Sequence, residues 1–174
     1  QKQLWIMPVD GGEARQLTDV PGGASDHAWS PDSRRIAFVS DVELGDSEEG
    51  EGAGGPEVKV MRRIRYRVDG KGWRGDAFYH LCVINVESGE TRQITDGDWD
   101  CANPVWSPDN GRIAFISDRG EARDRSWYAE AYVVSADGGE AVEWSKGVHC
   151  FSQGGLGGAL AWSPDGRRLV VAGT

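Results

Sequence analysis

Three aspartates at alternate positions are the first residues whose type and spacing could do chemistry. Asp96, Asp98 and Asp100 could supply oxygen ligands to a calcium ion, because carboxylates are preferred donors for that cation. In a calcium-binding loop counted from Asp96, the sixth position would be glycine and the twelfth glutamate. Here they are Cys101 and Ser107. The pattern therefore favours an acidic turn between strands, and we expect neither a metal site nor a cofactor.

One serine invites comparison with a hydrolase nucleophile. A nucleophile elbow needs the sequence Gly-x-Ser-x-Gly, which exposes the serine on a sharp turn beside backbone amides. Ser152 has Cys150 two residues before it instead of glycine. The histidines have no mutual spacing typical of a triad or a metal site: His27, His80 and His149. We therefore predict no catalytic residue in this chain.

Four arginines in a strand-like segment could bind a carboxylate. Residues 58–67 alternate apolar with basic side chains before a glycine-rich turn, which is typical of one strand of a hairpin. Guanidinium groups bind carboxylates through two parallel hydrogen bonds, so these side chains are candidate contacts for a peptide substrate. A solvated face of an edge strand would explain the same pattern. The candidates are Arg62, Arg63, Arg65 and Arg67.

The charge of the chain excludes two classes of partner. The 174 residues carry a formal net charge of -9, whereas nucleic acids and anionic membranes attract basic surfaces. No stretch approaches the roughly 18 consecutive apolar residues that a membrane helix needs. The length suits one domain with its own hydrophobic core.

The cysteines and the two ends of the chain bear on its context. Cys82, Cys101 and Cys150 are odd in number and lack CxxC spacing, so they favour small core residues in a reducing compartment, the cytoplasm. The sequence starts at Gln1 and runs directly into a strand-like segment, and it ends at Thr174 within another. We expect a fragment of a larger protein, either designed or produced by proteolysis.

A repeated tryptophan motif determines the predicted fold. Trp-Ser-Pro-Asp occurs three times, with spacings of 77 and 56 residues, and an apolar strand-like run follows each copy. Without residues 42–78, taken as an insertion, the first spacing falls close to the roughly 40 to 45 residues of a four-stranded propeller blade. The structural residues of the repeat are Trp29, Pro31, Asp32, Trp106, Pro108, Asp109, Trp162, Pro164 and Asp165.

The turn within each repeat has a physical rationale. Proline presets φ at the second position of a type I turn, and the Ser and Asp side chains bond nearby backbone amides. The residue after the aspartate must then adopt a left-handed conformation, which Asn110 and Gly166 tolerate. Ser33 fits that conformation less well, so we predict a looser first turn.

A second repeated hairpin completes the architecture. It is centred on glycine turns near residues 10–12, 88–89 and 137–139. We predict an all-β chain, a partial β-propeller of four-stranded antiparallel blades with two full blades and two half-blades. The blade ranges are 1–24, 25–96 with insertion 42–78, 97–146 and 147–174. Because the two halves are complementary, we also expect self-association of the chain or neighbouring blades that are missing from it.

The repeats resemble a known family. Gln-Leu-Thr-Asp followed by Ala-Trp-Ser-Pro-Asp and Arg-Ile-Ala-Phe-Val-Ser-Asp looks like the TolB-like propeller repeat. The insertion with Arg62–Arg67 and Asp69–Trp73, followed by His80–Val86, is similar to the N-terminal propeller of acylaminoacyl-peptidase-like members of the prolyl oligopeptidase family.

The resemblance implies a role in a serine peptidase of the acylaminoacyl peptidase or dipeptidyl aminopeptidase type. In that family, the propeller caps a separate C-terminal α/β-hydrolase domain, which holds the catalytic triad, and restricts entry to short or N-acylated peptides. The expected partners are that hydrolase domain, the remaining blades and peptide substrates. Glu48 and Glu49 are similar to the paired glutamates with which dipeptidyl peptidases hold a substrate's amino terminus, but a charge-rich loop explains them without any ligand and is the favoured interpretation.

An alternative function belongs to another class of protein. A TolB-like propeller can act as a protein-interaction scaffold without an enzyme domain. The insertion of residues 42–78 favours the peptidase, because plain interaction repeats do not require it.

Overall fold

The computed structural model describes residues 1–43, 64, 66–68, 72–73, 75–121, 123, 125, 128–151 and 160–173. Throughout these residues the regular secondary structure consists of β-strands, without any helix, so the predicted all-β class is confirmed. A membrane-spanning helix is accordingly not found in the described ranges.

The described strands, in chain order, have the following bounds. They are β1 (Trp5–Ile6), β2 (Arg15–Gln16), β3 (Ser25–Trp29), β4 (Arg35–Glu43), β5 (Arg67–Val68), β6 (Gly72–Trp73), β7 (Ala77–Asn85), β8 (Thr91–Gln93), β9 (Cys101–Trp106), β10 (Arg112–Ser117), β11 (Tyr128–Ser135), β12 (Val142–Glu143), β13 (Cys150–Phe151), β14 (Leu160–Trp162) and β15 (Leu169–Val171).

Two antiparallel sheets with the same order form the centre of the chain. The first has the order β3-β4-β7-β8, and the second has β9-β10-β11-β12 with β13 also paired to β11. Their registers match, because Phe38 lies opposite Cys82 in the first sheet and Phe115 lies opposite Tyr132 in the second. The remaining pairs are the two-stranded sheets β1-β2, β5-β6 and β14-β15.

Three apolar clusters pack the sheets against one another. One lies between β1-β2 and the first large sheet, one between the two large sheets, and one between the second large sheet and β14-β15. Phe38 and Phe115 are fully buried at equivalent positions in β4 and β10. Both faces of these strands are covered, which explains why the Ile-Ala-Phe runs lack polar alternation.

A hydroxyl closes the base of each second hairpin. The Thr18 Oγ1 atom accepts a hydrogen bond of 2.8 Å from the Leu4 amide, and Thr95 Oγ1 accepts one of 2.9 Å from the Leu81 amide. Ser145 takes the same place in the third copy and accepts from Ala131 at 2.8 Å. These bonds satisfy buried amides at the strand ends and show that the three hairpins are structurally equivalent.

Candidate functional site: the joints between blades

The Ser-Pro-Asp turn is held by a small hydrogen-bond network. Ser30 Oγ donates to Asp32 Oδ1 at 2.6 Å and accepts from the Arg35 amide at 2.9 Å. The Ser33 amide donates to the Ser30 carbonyl at 2.9 Å, and Ser33 has a φ of 60°, the same as Asn110. The prediction of a looser first turn is therefore wrong, because the network holds serine in the left-handed conformation that asparagine adopts.

The other two turns repeat this network. Ser107 and Ser163 each donate to the aspartate two residues later at 2.5 Å. The serine hydroxyl, followed by a backbone amide, holds the pKa of each turn carboxyl below its ordinary value, since both donors favour the ionised form. The carboxyls in question are those of Asp32, Asp109 and Asp165. The shared geometry places an arginine at the same point of every hairpin, where its amide donates to the serine hydroxyl of the turn. These arginines are Arg35, Arg112 and Arg168.

That arginine and the tryptophan of the next repeat form the first joint between sheets. The Arg35 guanidinium lies 4.7 Å from the centre of the Trp106 ring, and its Nη2 donates to the Asn110 carbonyl at 2.8 Å. Trp106 Nε1 in turn donates to the Ala28 carbonyl at 3.0 Å. We call this arrangement, a cation over a ring with two hydrogen bonds across the interface, an Arg–Trp joint.

A second Arg–Trp joint has the same geometry. The Arg112 guanidinium lies 4.8 Å from the centre of the Trp162 ring, and its Nη2 donates to the Gly166 carbonyl at 3.1 Å. Trp162 Nε1 donates to the Val105 carbonyl at 3.2 Å. Trp144 adds an edge-to-face contact with Trp162 at 5.3 Å between ring centres. The same kind of contact thus fixes the second large sheet against the sheet β14-β15.

A salt-bridge group lies at the rim of the first joint. The Asp137 Oδ1 atom forms ion pairs with Arg35 Nη1 and Arg92 Nη2, each at 3.8 Å. Arg92 also donates a hydrogen bond to the Asp137 carbonyl. Because the Asp137 side chain is largely exposed, these ion pairs contribute little compared with the ring contact beneath them.

The first strands of successive sheets lie next to one another. β3 contacts β9, and β9 contacts β14, as expected where blades converge on a channel.

Each of β3 and β9 carries a bulge at a residue with positive φ: Asp26 with 43° and Asn103 with 53°. The sequence analysis missed these bulges. A signal was present, since Asp and Asn tolerate left-handed backbone and both stand three residues before the repeat tryptophan.

An arginine surrounded by aromatic rings was also missed. The Arg119 guanidinium lies 4.4 Å from the Tyr132 ring centre, 4.7 Å from that of Trp99 and 5.6 Å from that of Phe115. This group stabilises the loop that follows β10, next to the joint interface. No local sequence pattern predicts it, because the rings come from three separate segments, the turn before β9, β10 and β11.

The chain is similar in sequence to a peptidase and in fold to a TolB structure. The chain is 35% identical over 137 residues, 76% of its length, to the uncharacterised peptidase YuxL of Bacillus subtilis strain 168. Over 99% of the chain, its fold matches a structure assigned to TolB of Agrobacterium tumefaciens, with a TM-score of 0.61, 21% identity and 50% of that protein covered. These findings are consistent with the propeller of a prolyl oligopeptidase family peptidase.

Two further solved structures share the fold at lower sequence identity. The propeller matches the uncomplexed acylaminoacyl peptidase of Pyrococcus horikoshii with a TM-score of 0.60 and 15% identity, covering 98% of the chain and 28% of that protein. An oligogalacturonate lyase in complex with manganese gives a TM-score of 0.62 at 14% identity, covering 99% of the chain and 42% of the lyase. Similarity at this level of identity shows the fold alone. No family model matches the sequence, and the chain spans about a fifth of the length of YuxL.

Most of the predicted substrate contacts lie outside the described residues. Arg67 is exposed in β5, where it lies opposite Trp73 of β6. The other three candidates, Arg62, Arg63 and Arg65, are not among the described residues, nor are Glu48, Glu49 and Ser152. Contact between these arginines and a substrate therefore stays a prediction.

The three alternating aspartates make protein contacts where the structure describes them. Asp98 forms a salt bridge with Arg123, and Asp100 Oδ1 accepts a hydrogen bond of 2.9 Å from the Tyr79 amide. Within the described part of the chain, no group of three or more potential ligands could hold a metal ion. These contacts fit the acidic-turn interpretation.

The buried titratable groups have structural partners. His80 is fully buried, with Nε2 3.0 Å from the Gly97 carbonyl, and desolvation lowers its pKa. Burial raises the pKa of the Cys82 and Cys101 thiols to about 11. Cys150 is also buried and free. Neutral thiols at these positions act as small core residues and not as nucleophiles.

Proposed function

We propose that the chain is a non-catalytic propeller segment of a serine peptidase, and that this propeller limits the access of short or N-acylated peptides to a separate α/β-hydrolase domain. The observation that carries the proposal is the 35% identity to a peptidase over 137 residues. The fold match to an acylaminoacyl peptidase supports the same assignment at the level of architecture.

The joints supply the mechanical property that a size filter needs. A filter excludes large peptides only if adjacent blades do not separate readily. Each Arg–Trp joint combines a ring-stacked guanidinium with two hydrogen bonds across the interface. A cation over a ring contributes about 0.5 to 2 kcal/mol, and each hydrogen bond roughly 1 kcal/mol. Opening one joint therefore costs enough to keep the separated state a minor population.

The scaffold function is the second candidate. Its support is the match to a TolB structure across nearly the whole chain. That match has almost the same TM-score as the matches to the peptidase and the lyase, so architecture alone does not discriminate among the three. Sequence identity favours the peptidase, because the relative that is 35% identical to this chain is named a peptidase.

Labelling with a fluorophosphonate, which reacts with activated serines, distinguishes these functions. The full-length gene product and the 174-residue chain are treated in parallel. We expect the full-length protein to be labelled and the chain to remain unlabelled. If neither is labelled, the scaffold function replaces the peptidase. Labelling of the chain itself would show that it contains a nucleophile and overturn the non-catalytic assignment.

A further inference from the structure

One position of the repeat carries a polar side chain directly before the residue whose amide donates to the hydroxyl at the base of the second hairpin. Its three occupants are Gln3, His80 and Glu130. Glu130 bonds to His149, whereas Gln3 and His80 each bond to the segment that leads into the next sheet. We call residues 17–24, between β2 and β3, the first connection, and residues 94–100, between β8 and β9, the second connection.

The Gln3 amide holds the first connection through both of its polar ends. Its Oε1 atom accepts from Thr18 Oγ1 at 2.7 Å and from the Val20 amide at 3.2 Å. Its Nε2 atom donates to the Val20 carbonyl at 2.8 Å. Thr18 Oγ1 also accepts from the Leu4 amide, so its single proton is directed to Gln3. One acceptor and one donor on the same side chain thus fix this connection.

The His80 imidazole makes the equivalent two contacts with the second connection. Its Nε2 lies 3.0 Å from the Gly97 carbonyl, and its Nδ1 lies 3.3 Å from Thr95 Oγ1. Because a carbonyl can only accept, Nε2 carries the proton, and Nδ1 of the neutral ring is an acceptor. Neutral His80 therefore presents the same donor and acceptor as the Gln3 amide. Histidine changes its charge in the physiological pH range, whereas glutamine does not.

Protonation of His80 removes the acceptor from this arrangement. A cationic ring carries hydrogens on both nitrogens, and Thr95 Oγ1 already accepts a hydrogen bond of 2.9 Å from the Leu81 amide. The ring is also fully buried, where a charge costs more free energy than it does in water. Movement of the second connection away from the ring would admit water and lower that cost.

The groups around the ring act on its charge in both directions. Asp100 and Asp96 of the second connection favour the cation, and Arg119 after β10 disfavours it. The side chains that β4 and β9 contribute nearby are uncharged, namely Ser40 and Cys101. Desolvation is the largest influence, and it lowers the pKa of His80 below its ordinary value of 6.5. The closed connection therefore favours the neutral ring.

Movement at Gly97 would reach the interface between the two large sheets. Gly97 packs so closely against the Trp99 ring that a Cβ atom there would overlap it. Trp99 in turn stacks on Arg119 and packs against the apolar cluster between the sheets. The end of the connection is anchored separately, because Asp100 Oδ1 accepts from the Tyr79 amide at 2.9 Å. Release at Gly97 thus loosens the packing of Trp99 while this anchor stays in place.

We propose that His80 is a pH-sensitive latch on the second connection, which the neutral ring holds closed and the protonated ring releases. The open connection exposes the ring to water, where it takes up a proton with a pKa near the ordinary 6.5, whereas the closed form resists protonation. The closed form is therefore favoured above that pH and becomes less favoured as pH falls below it. The first connection, held by Gln3, is the pH-insensitive counterpart. The proposal does not depend on the peptidase function.

Hydrogen exchange measured by mass spectrometry tests the release. Wild type and His80→Gln are compared at the same pH, so the intrinsic pH dependence of exchange cancels in their ratio. We expect equal exchange of residues 94–100 at about pH 7.5 and roughly tenfold faster exchange in the wild type at about pH 5.5, because only the open form takes up the proton. Residues 17–24 should exchange equally in both proteins. A ratio for residues 94–100 that does not change with pH overturns the proposal.

The reciprocal substitution tests the equivalence of the two positions. Gln3→His should make the first connection sensitive to acid, so residues 17–24 should exchange faster than in the wild type at about pH 5.5. Residues 94–100 should be unaffected in this variant. Unchanged exchange of residues 17–24 at acid pH would contradict the latch, because the same ring with the same two partners would then have no effect.

Nitrogen-15 NMR of the imidazole groups tests the latch with His80 in place. The other two histidines, His27 and His149, are exposed, and their separate replacement by glutamine assigns the three signals. We expect the neutral His80 ring to carry its proton on Nε2 and to titrate below pH 6.5. A proton on Nδ1 of the neutral ring, or a titration midpoint at or above 6.5, would overturn the proposal.

Discussion

The indole Nε1 of Trp106 donates a hydrogen bond of 3.0 Å to the carbonyl oxygen of Ala28, 78 residues earlier in the chain. The bond connects two different sheets at the edge of their shared apolar cluster. The repeated tryptophan therefore does more than fill space. Its ring stacks against the guanidinium of the preceding repeat's arginine, and its Nε1 donates to a strand carbonyl. The equivalent bond from Trp162 to Val105 shows that this role belongs to the repeat.

Replacing Trp106 by phenylalanine should weaken the contact between sheets. The variant keeps an aromatic ring but loses the Nε1 donor, so the Ala28 carbonyl is left without that partner. We expect a loss of about 1 to 3 kcal/mol in the free energy of unfolding, measured by urea denaturation. Trp29→Phe, at the equivalent but half-exposed position, should change it by less than about 0.5 kcal/mol in dilute solution. Equal losses in the two variants would contradict the joint.

Replacing Ser33 by asparagine should stabilise the chain. Ser33 has a φ of 60°, and asparagine adopts that region more readily than serine does. We expect a gain of about 0.5 kcal/mol in unfolding free energy for Ser33→Asn and a loss for Ser33→Val. Thermal and chemical denaturation measure both. A loss in the asparagine variant would show that the serine hydroxyl has a further role in the turn.

Acid should weaken the turns through their aspartates. In the folded chain the pKa of Asp109 lies below its ordinary value of 3.8, chiefly because the Ser107 hydroxyl bonds the carboxylate. A depressed folded pKa stabilises the fold above the unfolded value, and that stabilisation is lost as pH falls from about 4 through the folded pKa. Asp109→Asn should therefore flatten the decline of stability below about pH 4, as measured by urea denaturation across pH. A decline as steep as that of the wild type would contradict the assignment.

The thiols should be inert in the folded chain. Burial raises the pKa of Cys82 and Cys101 to about 11, so both are neutral near pH 8 and shielded from reagents. We expect negligible reaction with an aromatic disulfide reagent in buffer and reaction of all three cysteines in denaturant. Fast modification of a thiol in buffer would mean that the corresponding core opens readily.

Much of the fold could be predicted because its signals are local. Each Trp-Ser-Pro-Asp turn and the strand after it depend on residues close together in sequence, and self-similarity identified the hairpins. The all-β class and the family resemblance are confirmed by the structure and by the comparisons. The turn at Ser33 was judged wrongly, because single-residue propensity ignored the hydrogen bonds from Ser30 and Asp32 that fix the conformation.

The joints could not be predicted from local patterns. Arg35 and Trp106 are far apart in sequence and meet only because successive sheets stack with one particular rotation. The sequence analysis counted the tryptophan of each repeat as structural but gave the repeat arginine no role, and nothing local indicated that one repeat's arginine covers the next repeat's ring. The bulges at Asp26 and Asn103 were within reach, since both residues favour left-handed backbone at the same offset from tryptophan.

Peptide size selectivity of the full-length gene product tests the gating claim most directly. We would measure kcat/KM for a short N-acylated peptide and for a long peptide with the same cleavage site, in the wild type, in Arg112→Ala and in Arg92→Ala. Arg112→Ala removes the cation of the second joint, and Arg92→Ala removes an exposed ion pair with Asp137 and a hydrogen bond to its carbonyl at the rim of the first joint. If opening becomes easier by about 1.4 kcal/mol, the open population and the long-to-short ratio rise roughly tenfold in Arg112→Ala. The ratio should remain at the wild-type value in Arg92→Ala. An unchanged ratio in Arg112→Ala, with the joint demonstrably weakened in stability measurements, would contradict a gating role for this propeller.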